Sequence, residues 1–139
     1  MKNRIFSGLL VAVFGSLIAL GPQFLFKVCE AEGDMIMRCF WTGRAEIGIG
    51  GVIFLSGLFL FFFKNPALRF GVNLGLIPLG ILTLLIPTVL IGVCGSHSME
   101  CRILALPSLV VLGILLIAAA LLNGLYLYAR YLKNTPNEA

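Results

Sequence analysis

Gly15-SLIALG-Pro22-QFLFK-Val28-Cys29 returns 65 residues later as Gly80-ILTLLI-Pro87-TVLIG-Val93-Cys94. In both stretches glycine stands seven residues before proline and cysteine seven after it, and Leu17/Leu82, Leu20/Leu85 and Leu25/Leu90 coincide. Each closes downstream on Met-x-Cys, at Met37-Arg38-Cys39 and Met99-Glu100-Cys101. The pattern reads as an internal duplication of a membrane hairpin whose outer loop carries two cysteines. The match is strongest between residues 15–29 and 80–94, and weak between the second and fourth apolar segments.

Working outward, composition sets the class. Hydrophobic residues make up 60% of the chain and charged ones 12%, against about 25% charged in a soluble domain. A soluble chain of 139 residues cannot bury so much apolar surface, because small domains keep a large share of their residues exposed. Lipid must cover the remainder. Four segments, about Ile5–Phe26, Ala45–Phe63, Phe70–Val93 and Ile103–Tyr128, are long enough to cross ~30 Å of hydrocarbon. The expected fold is an all-α membrane protein, a four-transmembrane-helix bundle in one domain, 1–139. It consists of two tandem, parallel-oriented hairpin repeats, about 5–63 and 70–128, a Cys-rich outer cap and a polar tail, 129–139, expected to fray from Tyr131 onward.

An even number of crossings puts both termini on one side. With the termini inside, the inner segments hold Lys2, Arg4, Lys64, Arg69, Arg130 and Lys133, and the outer loops Lys27, Arg38, Arg44 and Arg102. Six against four has the sign of the positive-inside rule, so the termini are expected to be cytoplasmic. Met1-Lys-Asn-Arg4 resembles the start of a secretory signal, but the apolar run behind it outlasts the usual signal core and matches segment three. It reads as a retained helix. The net charge of +4 comes from these inner Lys and Arg residues. It fits contact with anionic lipid rather than nucleic acid.

Lys64-Asn-Pro-Ala-Leu-Arg69 is too short for anything but an antiparallel turn between segments two and three. Small residues at spacings of four (Gly8, Ala12 and Ser16; Gly15 and Ala19; Gly71 and Gly75; Ala120 and Gly124) mark places of close helix approach, within the bundle or to a partner helix. Gly48, Gly50, Gly51 and Gly57 make segment two smooth and predict a central position for it. Pro78, Pro87 and Pro107 each remove a backbone donor, and Gly21-Pro22 is equivalent to Pro87 in the repeat. Both helices are therefore predicted to bend or unwind just before their cysteines. Such bends are commonly structural, and in some transporters they line a site.

The outer loops, Lys27–Ala45 and Val93–Arg102, hold all four cysteines, the only histidine, the only tryptophan and three of the four methionines. Oxidised outside the cytoplasm, Cys29, Cys39, Cys94 and Cys101 allow three disulfide pairings. The repeat favours Cys29–Cys39 with Cys94–Cys101, and cross-pairing is the rival. Alternatively, Cys29, Met35, Met37, Cys39, Cys94, His97, Met99 and Cys101 combine thiolate, thioether and imidazole, the ligands that select Cu(I), with Trp41 nearby to stack on a cation. The spacings C-x9-C and C-x6-C match no standard zinc motif. Quinone-linked thiol redox chemistry is a third reading, but such enzymes use a C-x-x-C pair that this chain lacks. Ser96 and His97 lack an acid partner for hydrolysis. At the helix mouth, Thr42 is expected to cap segment two with Glu46 in its first turn. A sharper alternative has Glu46 facing the bundle and pairing with Arg44 or Arg102.

Leu20-Gly-Pro-Gln-Phe-Leu-Phe-Lys-Val-Cys29, Cys39-Phe-Trp-Thr-Gly-Arg-Ala-Glu-Ile-Gly48 and Ile86-Pro-Thr-Val-Leu-Ile-Gly-Val-Cys-Gly-Ser-His97 resemble a family of small four-helix prokaryotic membrane proteins known only as a domain of unknown function. The resemblance implies a bacterial or archaeal cytoplasmic-membrane protein and company with export-type ABC permeases of the macrolide-exporter kind. It implies no catalytic residues. The expected function is non-enzymatic: an accessory subunit of a membrane assembly, with a disulfide-stapled cap and Trp41, Arg44 and Glu46 at the partner-facing end. No cofactor is expected unless the cap holds copper.

Overall fold

Four helices account for almost all of the described chain in a computed structural model, which describes residues 2–25, 38–92, 95 and 101–134. Helix α1 spans Lys2–Leu20, α2 Arg38–Phe62, α3 Pro66–Leu85 and α4 Leu106–Asn134. Wider turns extend three of their ends: Gly21–Leu25 after α1, Ile86–Leu90 after α3 and Cys101–Ala105 before α4. The resulting spans, Lys2–Leu25, Phe40–Phe62, Pro66–Leu90 and Arg102–Tyr131, are each long and apolar enough to cross a membrane. Large apolar side chains such as Phe6, Phe24, Phe62, Val89, Leu122 and Leu125 point outward, as lipid solvation requires.

The turn between α2 and α3 is local chemistry. Asn65, extended at φ −64° and ψ 119°, accepts a hydrogen bond on its side-chain oxygen from the Ala67 amide at 3.0 Å, and Pro66 takes the first helical position. α2 and α3 are therefore antiparallel neighbours. The wide turn after α3 follows from Pro87, which offers no amide to the preceding helical turn. Ile91 donates instead to the Ile86 carbonyl five residues back at 3.0 Å, and Gly92 donates to the same carbonyl at 3.1 Å. Helix α3 runs through Pro78 without ending.

Each helix buries one row. In α1 it is Gly8, Val11, Gly15 and Ile18; in α3, Arg69, Asn73, Leu76, Gly80 and Thr83. In α2 the row is Thr42, Glu46, Gly50, Ile53, Gly57 and Leu60; in α4 and the turn that leads into it, Ala105, Leu109, Gly113, Leu116 and Ala120. Alternating steps of three and four are the seam of near-parallel packing. Val11, Ile18, Ile53, Leu60, Leu76, Leu116 and Ala120 form the apolar centre.

The two hairpins close differently. Between α1 and α2 the backbones themselves touch: a Cβ on Gly57 would lie 2.5 Å from the Ala12 amide nitrogen, and one on Gly8 2.9 Å from that of Phe61. Gly15 meets Phe54 and Gly50, and Gly50 meets Ala19, in the same way. In lipid such contact is the main attraction available between helices. Between α3 and α4 side chains fill the gap, Ile117 over Gly80 and Leu84 over Gly113. Of the segment-two glycines, Gly50 and Gly57 face α1 while Gly48 and Gly51 meet open space, as do Gly71 and Gly75 on α3. α2 is thus one of four sides of the bundle, not its centre, because half of its smooth surface points away.

Two sequence expectations need correction. α2 begins at Arg38, seven residues before the expected Ala45, so Trp41, Thr42 and Arg44 are helical. α4 continues to Asn134, past the point where fraying was expected.

Candidate functional site

Side-chain chemistry gathers at the two ends of the bundle. The distal end, opposite the termini, is where the chain leaves α1 and α3 and enters α2 and α4. Here Gly92 takes φ +76°, a left-handed conformation that glycine adopts without strain. Its carbonyl accepts a hydrogen bond from Thr42 Oγ1 at 2.9 Å. Thr42 therefore does not cap α2. It lies a full turn inside the helix, and its hydroxyl ties the two hairpins together instead.

One turn further along the same buried row lies Glu46, 0% exposed. Neither carboxyl oxygen has a hydrogen-bond partner among the described residues. The carboxyl faces the bundle, as the sharper of the two sequence readings has it, but neither of the alternative pairings, with Arg44 or with Arg102, forms. Arg44 turns outward and lays its guanidinium over the Phe40 ring at 5.3 Å. Phe40 in turn meets Trp41 edge-on at 6.0 Å, and Trp41 is 55% exposed. The first turns of α2 thus carry an aromatic and cationic outer face over a buried, unpartnered acid. A buried carboxyl without partners forfeits its hydration for nothing within the fold, so the position is functionally suspect.

Cys29, Met35, Met37, Cys94, His97 and Met99 lie outside the described residues. Cys39 and Cys101 are placed as backbone, at the beginnings of α2 and of the turn before α4, and the disulfide and copper readings of their side chains fall outside the description. Among the described residues no three His, Cys, Asp or Glu side chains are grouped to hold a metal. The grooves formed by described residues run along the outside of α1. The larger, about 470 Å³ and lined by Leu9, Val13, Leu20, Phe24 and Phe54, is apolar and open, a shape suited to acyl chains.

The terminal end holds a polar network that the sequence reading did not single out. Asn3 Nδ2 donates to Asn123 Oδ1 at 3.4 Å, Asn123 Nδ2 to Asn73 Oδ1 at 2.9 Å, and Asn73 Nδ2 to the Ala120 carbonyl at 2.6 Å. Beside it Arg69 Nη2 donates to Ser7 Oγ at 3.3 Å. The available signal was the isolation of Asn73 and Asn123 within apolar runs, since amides in such runs face protein.

These features define a small all-helical membrane protein with a polar constellation at each end of its bundle. The chain belongs to the family described as Domain of unknown function (DUF4418), whose family model matches residues 11–126. No curated protein and no solved structure matches it.

Proposed function

We propose that the protein is a non-enzymatic accessory subunit of a larger membrane assembly, such as an ABC-type export system in a bacterial or archaeal cytoplasmic membrane. Both termini are cytoplasmic and the Cys-bearing loops form one outer cap. The observation that carries this reading is the pair of outward small-residue positions on α2 and α3. Gly48, Gly51, Gly71 and Gly75 all face open space, where helix entropy alone would favour alanine. Glycine facing outward in lipid suits close approach by a further helix. The exposed Trp41 and the Arg44–Phe40 pair extend that outward face to the capped end.

A tandem origin supports the shared cap. The buried rows of α1 and α3 correspond at an offset of 65 residues: Gly8 with Asn73, Val11 with Leu76, Gly15 with Gly80, Ile18 with Thr83 and Pro22 with Pro87. The wide turns Gly21–Leu25 and Ile86–Leu90 share that offset. In α2 and α4 the rows correspond at 63: Thr42 with Ala105, Glu46 with Leu109, Gly50 with Gly113 and Ile53 with Leu116. Thr42 bonding to Gly92 puts the distal ends of the two hairpins side by side. The copper and thiol-redox readings rest on cysteine, methionine and histidine composition alone.

The test is gentle detergent extraction of the tagged full chain from its native membrane, with cross-linking. A stoichiometric membrane partner should be retained, and Gly71→Leu with Gly75→Leu should release it without changing the unfolding temperature of the bundle. Recovery of the wild-type chain with no stoichiometric partner would overturn the reading.

A further inference from the structure

The terminal end carries positive charge that no described carboxylate neutralises. Arg69, in the first turn of α3, is 8% exposed. Its only side-chain hydrogen bond among the described residues is the one from Nη2 to the neutral hydroxyl of Ser7, which itself donates to the Arg4 carbonyl at 3.3 Å. Ser7 thus sets the Arg69 fork against the turn of α1 that carries Arg4. The Nε atoms of both Arg69 and Arg4 are buried and meet no acceptor among the described residues. The only acidic residue among those described is Glu46, at the opposite end of the bundle.

A buried guanidinium with an idle donor, at the same end of the bundle as a second, partly buried arginine and with no carboxylate near it among the described residues, is costly in a low-dielectric surrounding. An anion supplied from outside the fold removes that cost. The planar fork of arginine matches the oxygens of phosphate, and basic pockets between helices at this level of a bilayer suit anionic headgroups. The rest of the cluster is arranged to hold the two arginines rather than to neutralise them. Ser7 props the Arg69 fork, and the Asn3–Asn123–Asn73 chain locks α1, α4 and α3 together behind it. Asn3 and Arg4 are only partly buried, so the cluster opens to the outside there, with exposed Lys2 at its rim.

We propose that the terminal end of the bundle is a binding site for a phosphate oxyanion, gripped by Arg4 and Arg69 and supplied by the headgroup of an anionic phospholipid. This site is independent of the partner surface on α2 and α3.

The experiment uses the full-length chain in detergent, read by native mass spectrometry while phosphatidylglycerol or phosphatidylcholine is added. One phosphatidylglycerol should be retained in preference to phosphatidylcholine. Arg69→Gln and Arg4→Gln should each reduce the bound fraction about tenfold, as loss of a charge-assisted fork implies. Lys64→Gln, an equal charge change at an exposed turn residue, should change it less than about twofold. If Arg69→Gln does not fold by circular dichroism, Arg69→Lys and Arg4→Gln carry the test. In a parallel arm inorganic phosphate is added without lipid. If it raises the unfolding temperature of the wild type but not of Arg4→Gln, the oxyanion site stands with a soluble source. Unchanged phosphatidylglycerol binding by both arginine variants overturns the proposal. So does a Glu138→Gln variant that loses as much stability as Arg69→Gln, since the anion would then come from the chain's own tail.

Discussion

Asn73 on α3 donates to the backbone carbonyl of Ala120 on α4 at 2.6 Å, and its own side-chain oxygen accepts from Asn123 at 2.9 Å. One buried amide thus satisfies both of its ends against the neighbouring helix. A Cβ on Gly124 would lie 2.9 Å from the Asn73 amide nitrogen, so that glycine is what lets Asn73 in. The small-residue spacing of Ala120 and Gly124 serves a hydrogen bond more than a helix crossing.

Asn73→Leu should therefore destabilise the bundle by about 1–2 kcal/mol in a denaturant titration in mixed micelles, given that interhelical hydrogen bonds in lipid are worth roughly 0.6–2 kcal/mol. Gly124→Ala should cost about as much in the wild type, because it displaces Asn73, and little in an Asn73→Ala background, because nothing remains to displace. Additive costs would show that Asn73 and Gly124 do not act as one unit.

The glycines of hairpin one and those facing outward predict opposite results for one chemical change. Gly57→Ala drives a methyl into the α1 backbone at Ala12, and rigid overpacking costs about 1–3 kcal/mol. Gly75→Ala adds a methyl in open space and should be neutral or stabilising by up to ~1 kcal/mol through helix propensity. Unfolding of the two variants under one set of detergent conditions decides it, and equal destabilisation would contradict the backbone contact.

Much of this architecture is legible in the chain because lipid writes it in composition. The four apolar runs, the Asn65-Pro66 turn and the unwinding at Pro22 and Pro87 each follow from a local rule. The beginning of α2 does not. Cys39-Phe-Trp-Thr-Gly-Arg44 reads as a loop because Thr42 and Gly43 look like a helix start. The helix begins earlier because the Thr42 hydroxyl finds the Gly92 carbonyl, 50 residues away in sequence. No local rule contains that partner. Arg4 and Arg69 are legible as orientation signals, but the reach of Arg69 to Ser7 beside Arg4 requires α1 and α3 to meet in space.

Sulfur pairing is the next expectation. If each hairpin staples its own loop, mass spectrometry of the unreduced, digested protein should show Cys29 linked to Cys39 and Cys94 to Cys101. The duplicated Pro-x6-Cys and Met-x-Cys spacings motivate that pairing, and closing short loops stabilises by about 2–3 kcal/mol. Links between the copies would support a shared cap but not separate staples. Four alkylatable thiols would return attention to metal capture.

Glu46 gives the sharpest comparison, because the corresponding place in α4 is occupied by Leu109, likewise buried. With both carboxyl oxygens unpartnered among the described residues, no hydrogen bond described in the bundle is lost when Glu46 is replaced by an apolar residue of similar volume. Even a paired buried charge can be exchanged for well-packed apolar residues with a gain of about 1–4 kcal/mol, and an acid without a partner among the described residues has less to lose. Glu46→Leu should therefore raise the unfolding temperature, and Glu46→Gln, which keeps a polar group to be buried, should raise it less. A bundle kept less stable by one buried acid is what a functional residue looks like, since activity is the usual reason for retaining such a cost. If Glu46→Leu instead lowers the unfolding temperature, the carboxyl has a stabilising partner in the fold, and its role is structural.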